Sequence, residues 1–170
     1  IRGGTAFTLT ATGTNFTANS VIVFKGVNYA TTFLSSTQLT AQITATDIAT
    51  AGIVSVKVAT PVSGGGISAA QSLTINNTVP TLTSLSPAGA TAGSTGFTSF
   101  TLTVTGTNFA NNSIVRWNGT DRVTTFVSGT QLKAQILLAD VANAGTASVT
   151  VFTPTPGGGT SNTQAFPIVN

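Results

Sequence analysis

Apolar and polar residues alternate along most of this chain. In FTLTATG (7–13), Phe7, Leu9 and Ala11 face one way and the threonines between them face the other, which is the period of a half-buried β-strand. The runs QLTAQI (38–43) and VSVKVA (54–59) alternate in the same way. Such runs are five to eight residues long and end in Gly, Pro, Asn or Ser, so the pattern predicts short strands separated by turns.

The pattern occurs twice. A shift of 93 positions places residues 1–77 on 94–170 without a gap, with about half of the positions identical. FTLTATGTNF (7–16) returns as FTLTVTGTNF (100–109), and the GGG run at 64–66 returns at 157–159. We therefore predict two domains, 1–77 and 78–170. The second copy also has an opening segment, TVPTLTSLSPAGATAG (78–93), that the first copy lacks.

The predicted strands define an all-β fold. They cover 5–12, 20–25, 28–33, 38–43, 53–60 and 67–75 in the first copy, and 81–86, 98–105, 113–118, 121–126, 131–136, 146–153 and 160–168 in the second. Seven short strands in about 90 residues favour an immunoglobulin-like Greek-key sandwich. We expect two of these in tandem, the first lacking its opening strand.

Between these strands the sequence predicts one helical turn in each copy and one core aromatic. The turns cover 45–52 and 138–145, with Asp47 and Asp140 as caps and Gly52 and Gly145 as stops. Trp117 takes the place of Phe24 in the second copy, and we expect it between the sheets.

Composition excludes most chemistry. The chain has no His, Cys, Met or Glu, three Asp, six Lys and Arg, and a net charge of +3. General acid–base catalysis requires a group whose pKa lies near the working pH, and calcium requires several oxygen ligands, so we predict no enzyme, metal or cofactor. The cations are scattered, which argues against a nucleic-acid partner. No apolar run is long enough to predict a membrane span.

Four motifs carry a resemblance to a known family. They are the G-T-N-F turn (Gly13, Asn15 and Phe16, repeated as Gly106, Asn108 and Phe109), the Lys-Gly or Asn-Gly turn, the D-x-A-x-A-G crossover and the P-x-x-G-G-G hairpin. Together they resemble IPT/TIG domains, which are immunoglobulin-like modules. The Thr-rich, Cys-free composition most resembles that of tandem bacterial members of the family, which are mostly spacers, adhesin stalks or accessory modules. The resemblance therefore implies an extracellular or cell-surface location.

The resemblance leaves two functions open. The first is a non-catalytic structural module of an extracellular stalk or fibre, assembling end to end or by strand complementation with neighbouring copies. The alternative is a carbohydrate- or protein-binding accessory or adhesion module of a secreted protein. The expected partners are other copies or further repeats of the chain, with a surface glycan or protein as the alternative.

Two features suggest contact residues. Some positions predicted to face outward differ between the copies, and glycine-rich loops let a neighbouring backbone approach closely. The expected contact residues are Val23, Val27, Tyr29, Arg116, Arg122, Gly64, Gly65, Gly66, Gly157, Gly158 and Gly159.

The missing opening strand has an energetic consequence. In the second copy Leu82 and Leu85 are expected to pack onto the core, and burying two to three such side chains contributes roughly 3–9 kcal/mol. A small domain's whole stability is about 5–15 kcal/mol. Three explanations are open: the strand lies upstream in a longer array, another subunit inserts it, or the first domain folds with six strands.

Overall fold

β-Strands form nearly all of the regular structure in this computed structural model, which describes residues 1–61, 65–93 and 99–170. The chain divides into unit 1, Ile1–Asn76, and unit 2, Asn77–Asn170. Asn77 lies with unit 2 because its N–H donates to the carbonyl of Pro156, and its own carbonyl accepts from the N–H of Gly158. Each unit is built from two packed sheets, as the predicted tandem of immunoglobulin-like sandwiches requires.

Unit 1 has a smaller and a larger sheet among its described residues. The smaller has the order β1 (Phe7–Thr12), β5 (Gln38–Ile43), β4 (Thr31–Ser35). The larger has the order β3 (Val27–Asn28), β2 (Val21–Phe24), β6 (Gly52–Thr60), β7 (Gly66–Ile67), with β8 (Gln71–Ile75) also pairing with β6.

Unit 2 repeats this plan with additional strands. Its first sheet has the order β14 (Thr124–Ser128), β15 (Gln131–Leu137), β11 (Ser99–Thr107), β9 (Thr81–Ser86). Its second has the order β10 (Ala90–Thr91), β18 (Gln164–Val169), β16 (Gly145–Thr153), β12 (Ile114–Trp117), β13 (Thr120–Asp121), with β17 (Gly159–Thr160) on β16. β9, which begins and ends where the sequence predicts the opening strand, covers the outer edge of β11.

The core of each unit lies between its sheets. Trp117 is 2% exposed and meets the ring of Phe166 edge-on, with centroids 5.0 Å apart, so its predicted position in the core is confirmed. In unit 1 Phe24 occupies the equivalent place and is also fully buried. The apolar positions of the alternating pattern thus point inward, as half-buried strands require.

Four predicted strands are broken in the structure: 28–33 covers parts of β3 and β4, and 121–126 covers parts of β13 and β14. The predictions 67–75 and 160–168 each cover two strands, β7 with β8 and β17 with β18. In these last two the cause is a serine after each first piece: the hydroxyl of Ser68 accepts from the N–H of Val58, and that of Ser161 accepts from the N–H of Val151. At one position of each ladder, a serine hydroxyl thus accepts the N–H in place of a backbone carbonyl.

The predicted helical turns differ from expectation. Unit 2 has a short 3₁₀ helix, Leu138–Val141, and Asp140 lies inside it, where a carboxylate oxygen accepts from the N–H of Leu137. In unit 1 the equivalent residues form turns, and Asp47 accepts from the N–H and hydroxyl of Thr44. Both aspartates therefore bond backward from within the turn. In unit 1 the predicted helical turn is a pair of hydrogen-bonded turns, in which Asp47 donates to Thr44 and Ala49 donates to Thr46.

The gapless repeat is also wrong at the start of the chain. The N–H groups of Arg2 and Gly3 donate to the carbonyls of Asn76 and Ile48. In unit 2 the corresponding donors are Ala92 and Gly93, which donate to Val169 and Val141. Arg2 and Gly3 thus hold the places of residues 92 and 93, three residues away from the places that the ungapped alignment assigns.

Candidate functional site

The outer edge of β1 is open in unit 1. Among the described residues β1 pairs with β5 alone, whereas its counterpart β11 lies between β15 and β9. A strand edge without a partner presents unpaired N–H and C=O groups that another chain can pair with. This edge is the candidate functional site.

The backbone groups on this edge follow from the alternation of an antiparallel ladder. The N–H of Gly13 donates to Thr37, on the β5 side. Successive residues of a strand turn their backbone groups to opposite sides, so Thr10 and Thr12 turn theirs to the open edge. Their counterparts Thr103 and Thr105 face Ser86 and Ser84 of β9.

A groove of about 450 Å³ runs beside this edge. Its walls include Thr10 and Thr12 of β1 and Phe16, with Val56 and Leu73 from the other sheet. The groove lies where the equivalent space of unit 2 is filled by β9, in which Leu82 is 2% exposed.

The open edge leaves part of the unit 1 core half-exposed. Five apolar residues that line the groove are half-buried, whereas their counterparts in unit 2 are buried. The pairs, unit 1 first, are Leu9 and Leu102, Ala11 and Val104, Phe16 and Phe109, Val56 and Val149, and Leu73 and Phe166. Since apolar area in water is unfavourable, the groove is an apolar surface that gains from being covered.

Gly13 makes room for the ring of Phe16, as its counterpart Gly106 does for the ring of Phe109. At its counterpart Gly106, a Cβ atom would collide with the carbonyl of Thr81 and with the ring of Phe109. At Gly13 a Cβ atom would lie 2.6 Å from the ring of Phe16. Glycine therefore lets the phenylalanine close over β1 in both units, and in unit 2 it also lets the opening strand approach closely.

The predicted glycine contacts border this site. A second cavity of about 370 Å³ shares Thr14 and Phe16 with the groove and is lined by Gly65 and Gly66. Gly64 lies outside the described residues.

In unit 2 the equivalent glycines contact the segment that leads into β9. Gly157 forms a bridge with Asn77, and Gly158 donates to the carbonyl of Asn77. A Cβ atom on Gly159 would lie 3.7 Å from Val79. In unit 2 the glycine run therefore lies beside the start of the opening segment. Gly65 and Gly66 of unit 1 lie at the equivalent end of the groove.

Tyr29 belongs to the packing of unit 1 and is not the outward-facing residue that the sequence predicts. Its ring meets Phe24 edge-on at 5.7 Å, and its hydroxyl donates to Oδ1 of Asp47 at 2.6 Å. This hydrogen bond raises the pKa of Tyr29 to about 12, with burial as the next cause. The same bond, followed by the two from Thr44, lowers the pKa of Asp47.

The other two predicted contact residues of unit 1, Val23 and Val27, differ in their exposure to solvent. Val23 is half-buried on β2, while Val27 is 59% exposed. Of these two predicted contact residues, Val27 is therefore the exposed one.

The two arginines of unit 2 that were predicted as contact residues, Arg116 and Arg122, each form an ion pair with an aspartate. Arg122 bonds Asp140 through two nitrogens, at 3.0 and 2.6 Å. Arg116 bonds Asp121 at 2.6 Å and lies over the ring of Phe152, 4.0 Å from its centroid. Arg122 occupies the position that Tyr29 has in unit 1. The aspartate of the crossover turn is therefore bound by a tyrosine hydroxyl in unit 1 and by an arginine in unit 2.

The described residues offer little for metal or membrane binding. Residues 1–61, 65–93 and 99–170 contain no group of three or more His, Cys, Asp or Glu that would hold a metal ion. In the same ranges, no helix has the length and hydropathy needed to span a bilayer.

Fold and site together define a tandem of immunoglobulin-like β-sandwich modules. The IPT/TIG domain family matches the chain twice, at residues 2–75 and 80–168, and the chain belongs to this family. Its modules and the related immunoglobulin-like folds are typically non-catalytic. The resemblance carried by the G-T-N-F turns, the crossovers and the glycine hairpins is thereby confirmed.

Solved structures with similar folds are distant in sequence. The amphioxus IgVJ-C2 molecule is 17% identical, with a TM-score of 0.49, over 100% of this chain and 99% of that one. The SGBP-B protein of the Bacteroides ovatus mixed-linkage glucan utilization locus, in complex with a mixed-linkage heptasaccharide, is 17% identical, with a TM-score of 0.34.

The I9–I11 tandem of titin is 16% identical, with a TM-score of 0.34, over 97% of this chain. The chain spans 41% of the length of the Bacteroides protein and 60% of the titin tandem. No curated protein matches the chain.

Proposed function

We propose that this chain is a non-catalytic structural module of an extracellular stalk or fibre. Neighbouring copies assemble end to end or by strand complementation. The observation that carries the proposal is the open β1 edge with its apolar groove, in a unit whose tandem twin covers the same edge with a strand. Open edges of this kind lead to strand addition between chains.

The carboxylates support a non-catalytic role. Each of the three Asp side chains has a structural partner: Asp47 bonds Tyr29 and Thr44, Asp121 bonds Arg116, and Asp140 bonds Arg122. A group that serves as general acid or base needs access to a reacting atom, and these carboxylates are engaged in holding turns and strands.

The tryptophan and the tyrosine favour the structural function over the alternative of a glycan-binding module. Trp117 is buried in the core of unit 2, and the ring of Tyr29 packs against Phe24. A stacking platform for a sugar requires an aromatic face that is open to solvent. The chain has one Trp and one Tyr, and both are used in packing.

Self-association tests the proposal. We expect the purified chain to form larger species as its concentration rises, seen as rods or beaded filaments by negative-stain microscopy and as growing mass by sedimentation. The control is Leu137→Ala, which trims an exposed side chain of unit 2 and leaves the β1 edge unchanged. A chain that stays monomeric at all concentrations would refute the assembly function.

A further inference from the structure

The turn between β12 and β13 carries the one Asn-Gly sequence of the chain. Trp117 and Thr120 pair across it, and the two residues between them, Asn118 and Gly119, have φ of 49° and 82°. Positive φ at both central residues is the type I′ conformation, which Asn-Gly adopts readily. Because glycine has no Cβ, its backbone nitrogen is also the one that can approach a preceding side-chain amide with least hindrance.

The side-chain amide of Asn118 is exposed to such an approach. Its Oδ1 accepts a hydrogen bond from the N–H of Ser148 at 2.8 Å. In the part of the chain that the structure describes, its Nδ2 makes no hydrogen bond. The N–H of Ser148 thus points at the oxygen on which negative charge develops when Cγ is attacked, and the nitrogen that would leave is open to solvent.

The two asparagines that precede a serine are placed differently. Asn19 and Asn112 are followed by Ser20 and Ser113, which are 3% and 4% exposed. The N–H of each serine donates to the backbone carbonyl three residues earlier. A backbone nitrogen that is buried and engaged in this way is a poor nucleophile, so the Asn-Gly turn is the favoured position for an attack on a side-chain amide.

Unit 1 has the same turn without the reactive group. Lys25 and Gly26 have φ of 53° and 81°, and the N–H of Lys25 donates to the carbonyl of Ser55 as that of Asn118 donates to Ser148. A lysine side chain has no carbonyl carbon that the nitrogen of Gly26 could attack. The two copies therefore share the backbone of the turn and differ in the chemistry of one side chain.

We propose that Asn118 is a site of spontaneous covalent modification, at which the chain converts its own amide into aspartate and isoaspartate. The backbone nitrogen of Gly119 bonds to Cγ of Asn118 and gives up its proton, the bond from Cγ to Nδ2 breaks, and Nδ2 leaves with that proton as ammonia. Water then opens the cyclic imide. Hydrolysis between the nitrogen and Cγ gives aspartate, and hydrolysis between the nitrogen and the α-carbonyl carbon gives isoaspartate. Water is the co-reactant, and no oxidant or reductant is needed.

Isoaspartate does not fit this turn, because it routes the backbone through the side chain and lengthens it by one carbon atom. The length of a hairpin loop sets the register of the strands that it joins. The pairing of Trp117 with Thr120 is therefore lost, as is the 2.6 Å ion pair between Arg116 and Asp121 that lies next to it. The modification thus loosens the β12–β13 hairpin as the chain ages, independently of the assembly function.

The test is incubation of the folded chain in mildly alkaline buffer, followed by peptide mapping with mass spectrometry. We expect the peptide that contains Asn118 to gain the mass difference between an acid and an amide roughly tenfold or more faster than any other asparagine peptide, because only glycine leaves the attacking nitrogen unhindered. An isoaspartyl methyltransferase should label this peptide. The modified fraction, separated by its additional negative charge, should show faster hydrogen exchange at 114–121.

Two variants exchange the chemistry between the copies and keep the turn. Asn118→Lys reproduces the turn of unit 1, and we expect it to remove the early product. Lys25→Asn reproduces the turn of unit 2, and we expect it to add a second reactive site in unit 1. Each variant places a residue in a backbone conformation that already holds it in the other copy, so both should fold.

Three results would overturn the proposal. They are an unmodified Asn118 in the folded chain, faster conversion of another asparagine, and a Lys25→Asn turn that stays unreactive. Conversion that occurs in urea and not in the folded chain would assign the turn a protective role instead. An isoaspartate fraction whose hydrogen exchange at 114–121 equals that of the parent would refute the loosening of the hairpin.

Discussion

At the residue scale, the G-T-N-F motif has a physical explanation. Gly13 makes room for the ring of Phe16, and Asn15 adopts a positive φ that most residues avoid. The N–H of Phe16 then donates to the carbonyl of Ser36, as that of Phe109 does to Gly129. The glycine, asparagine and phenylalanine of the motif thus each have a structural role in this turn.

The hydrogen bond between Tyr29 and Asp47 makes the stability of unit 1 depend on pH. The pKa of Tyr29 is raised from 10.0 to about 12, so its contribution to stability is complete below pH 10 and is lost as the pH rises through about 12. The pKa of Asp47 is lowered from 3.8, so its contribution is present above that value and is lost as the pH falls below it.

The absorbance of tyrosinate measures this directly, because Tyr29 is the only tyrosine of the chain. We expect the folded protein to titrate near pH 12 and the Asp47→Asn variant to titrate closer to 10. The thermal stability of Tyr29→Phe should lack the alkaline loss of the parent. A tyrosinate transition near pH 10 in the folded parent would contradict the assignment.

The two ion pairs of unit 2 form a matched comparison. The side chains of Arg122 and Asp140 are 14% and 15% exposed, whereas those of Arg116 and Asp121 are 28% and 55% exposed. Asp140→Ala leaves a largely buried guanidinium without its partner and should cost about 3 kcal/mol of unfolding free energy. Asp121→Ala should cost about 1 kcal/mol or less. Urea unfolding monitored by Trp117 fluorescence measures both, and equal costs would be inconsistent with the difference in burial.

At the element scale, the opening strand explains why one core is closed and the other is not. β9 pairs with β11 through Thr81–Ser86, and its two leucines complete a single core cluster in unit 2. The buried residues of unit 1 fall in two smaller clusters. The same segment, β9, therefore both pairs with the edge of β11 and covers the core of unit 2.

Truncating the opening strand should make unit 2 resemble unit 1. We expect Leu82→Ala to cost about 2–5 kcal/mol, since the side chain is buried and leaves a cavity. The control is Leu137→Ala, which changes an exposed leucine of the same unit and should alter stability by about 0.5 kcal/mol or less. Chemical denaturation monitored by Trp117 reports on unit 2, and a loss as small as that of the control would refute the role of β9 in core closure.

The alternating pattern predicted strand positions well and strand interruptions poorly. The opening strand was predicted to the residue, because Leu82 and Leu85 lie between prolines. The breaks at Ser68 and Ser161 were missed because they depend on a side chain bonding an N–H ten residues earlier in the sequence. The two-residue strand β10 was missed because it is defined by parallel pairing with β18.

At the whole-molecule scale, the two units share the same arrangement of strands and differ in whether a strand covers one sheet edge. Unit 2 has its edge strand and a buried core, and unit 1 has an open edge beside an apolar groove. In a chain with net charge +3, long-range repulsion between copies is weak, which favours association through such an edge. The open edge of β1 is therefore the contact surface on which the proposed assembly function depends.

The sequence alone determined the all-β class, the twofold repeat and the family. These follow from local periodicity and from motifs whose residues lie close together in the chain. Only the tertiary structure decided which side chains are available for contact. Tyr29, Arg116 and Arg122 bond residues up to eighteen positions away, and the groove combines Phe16 with Leu73. Alternation places a residue on one face of a strand, but the strand that covers that face is chosen by the fold.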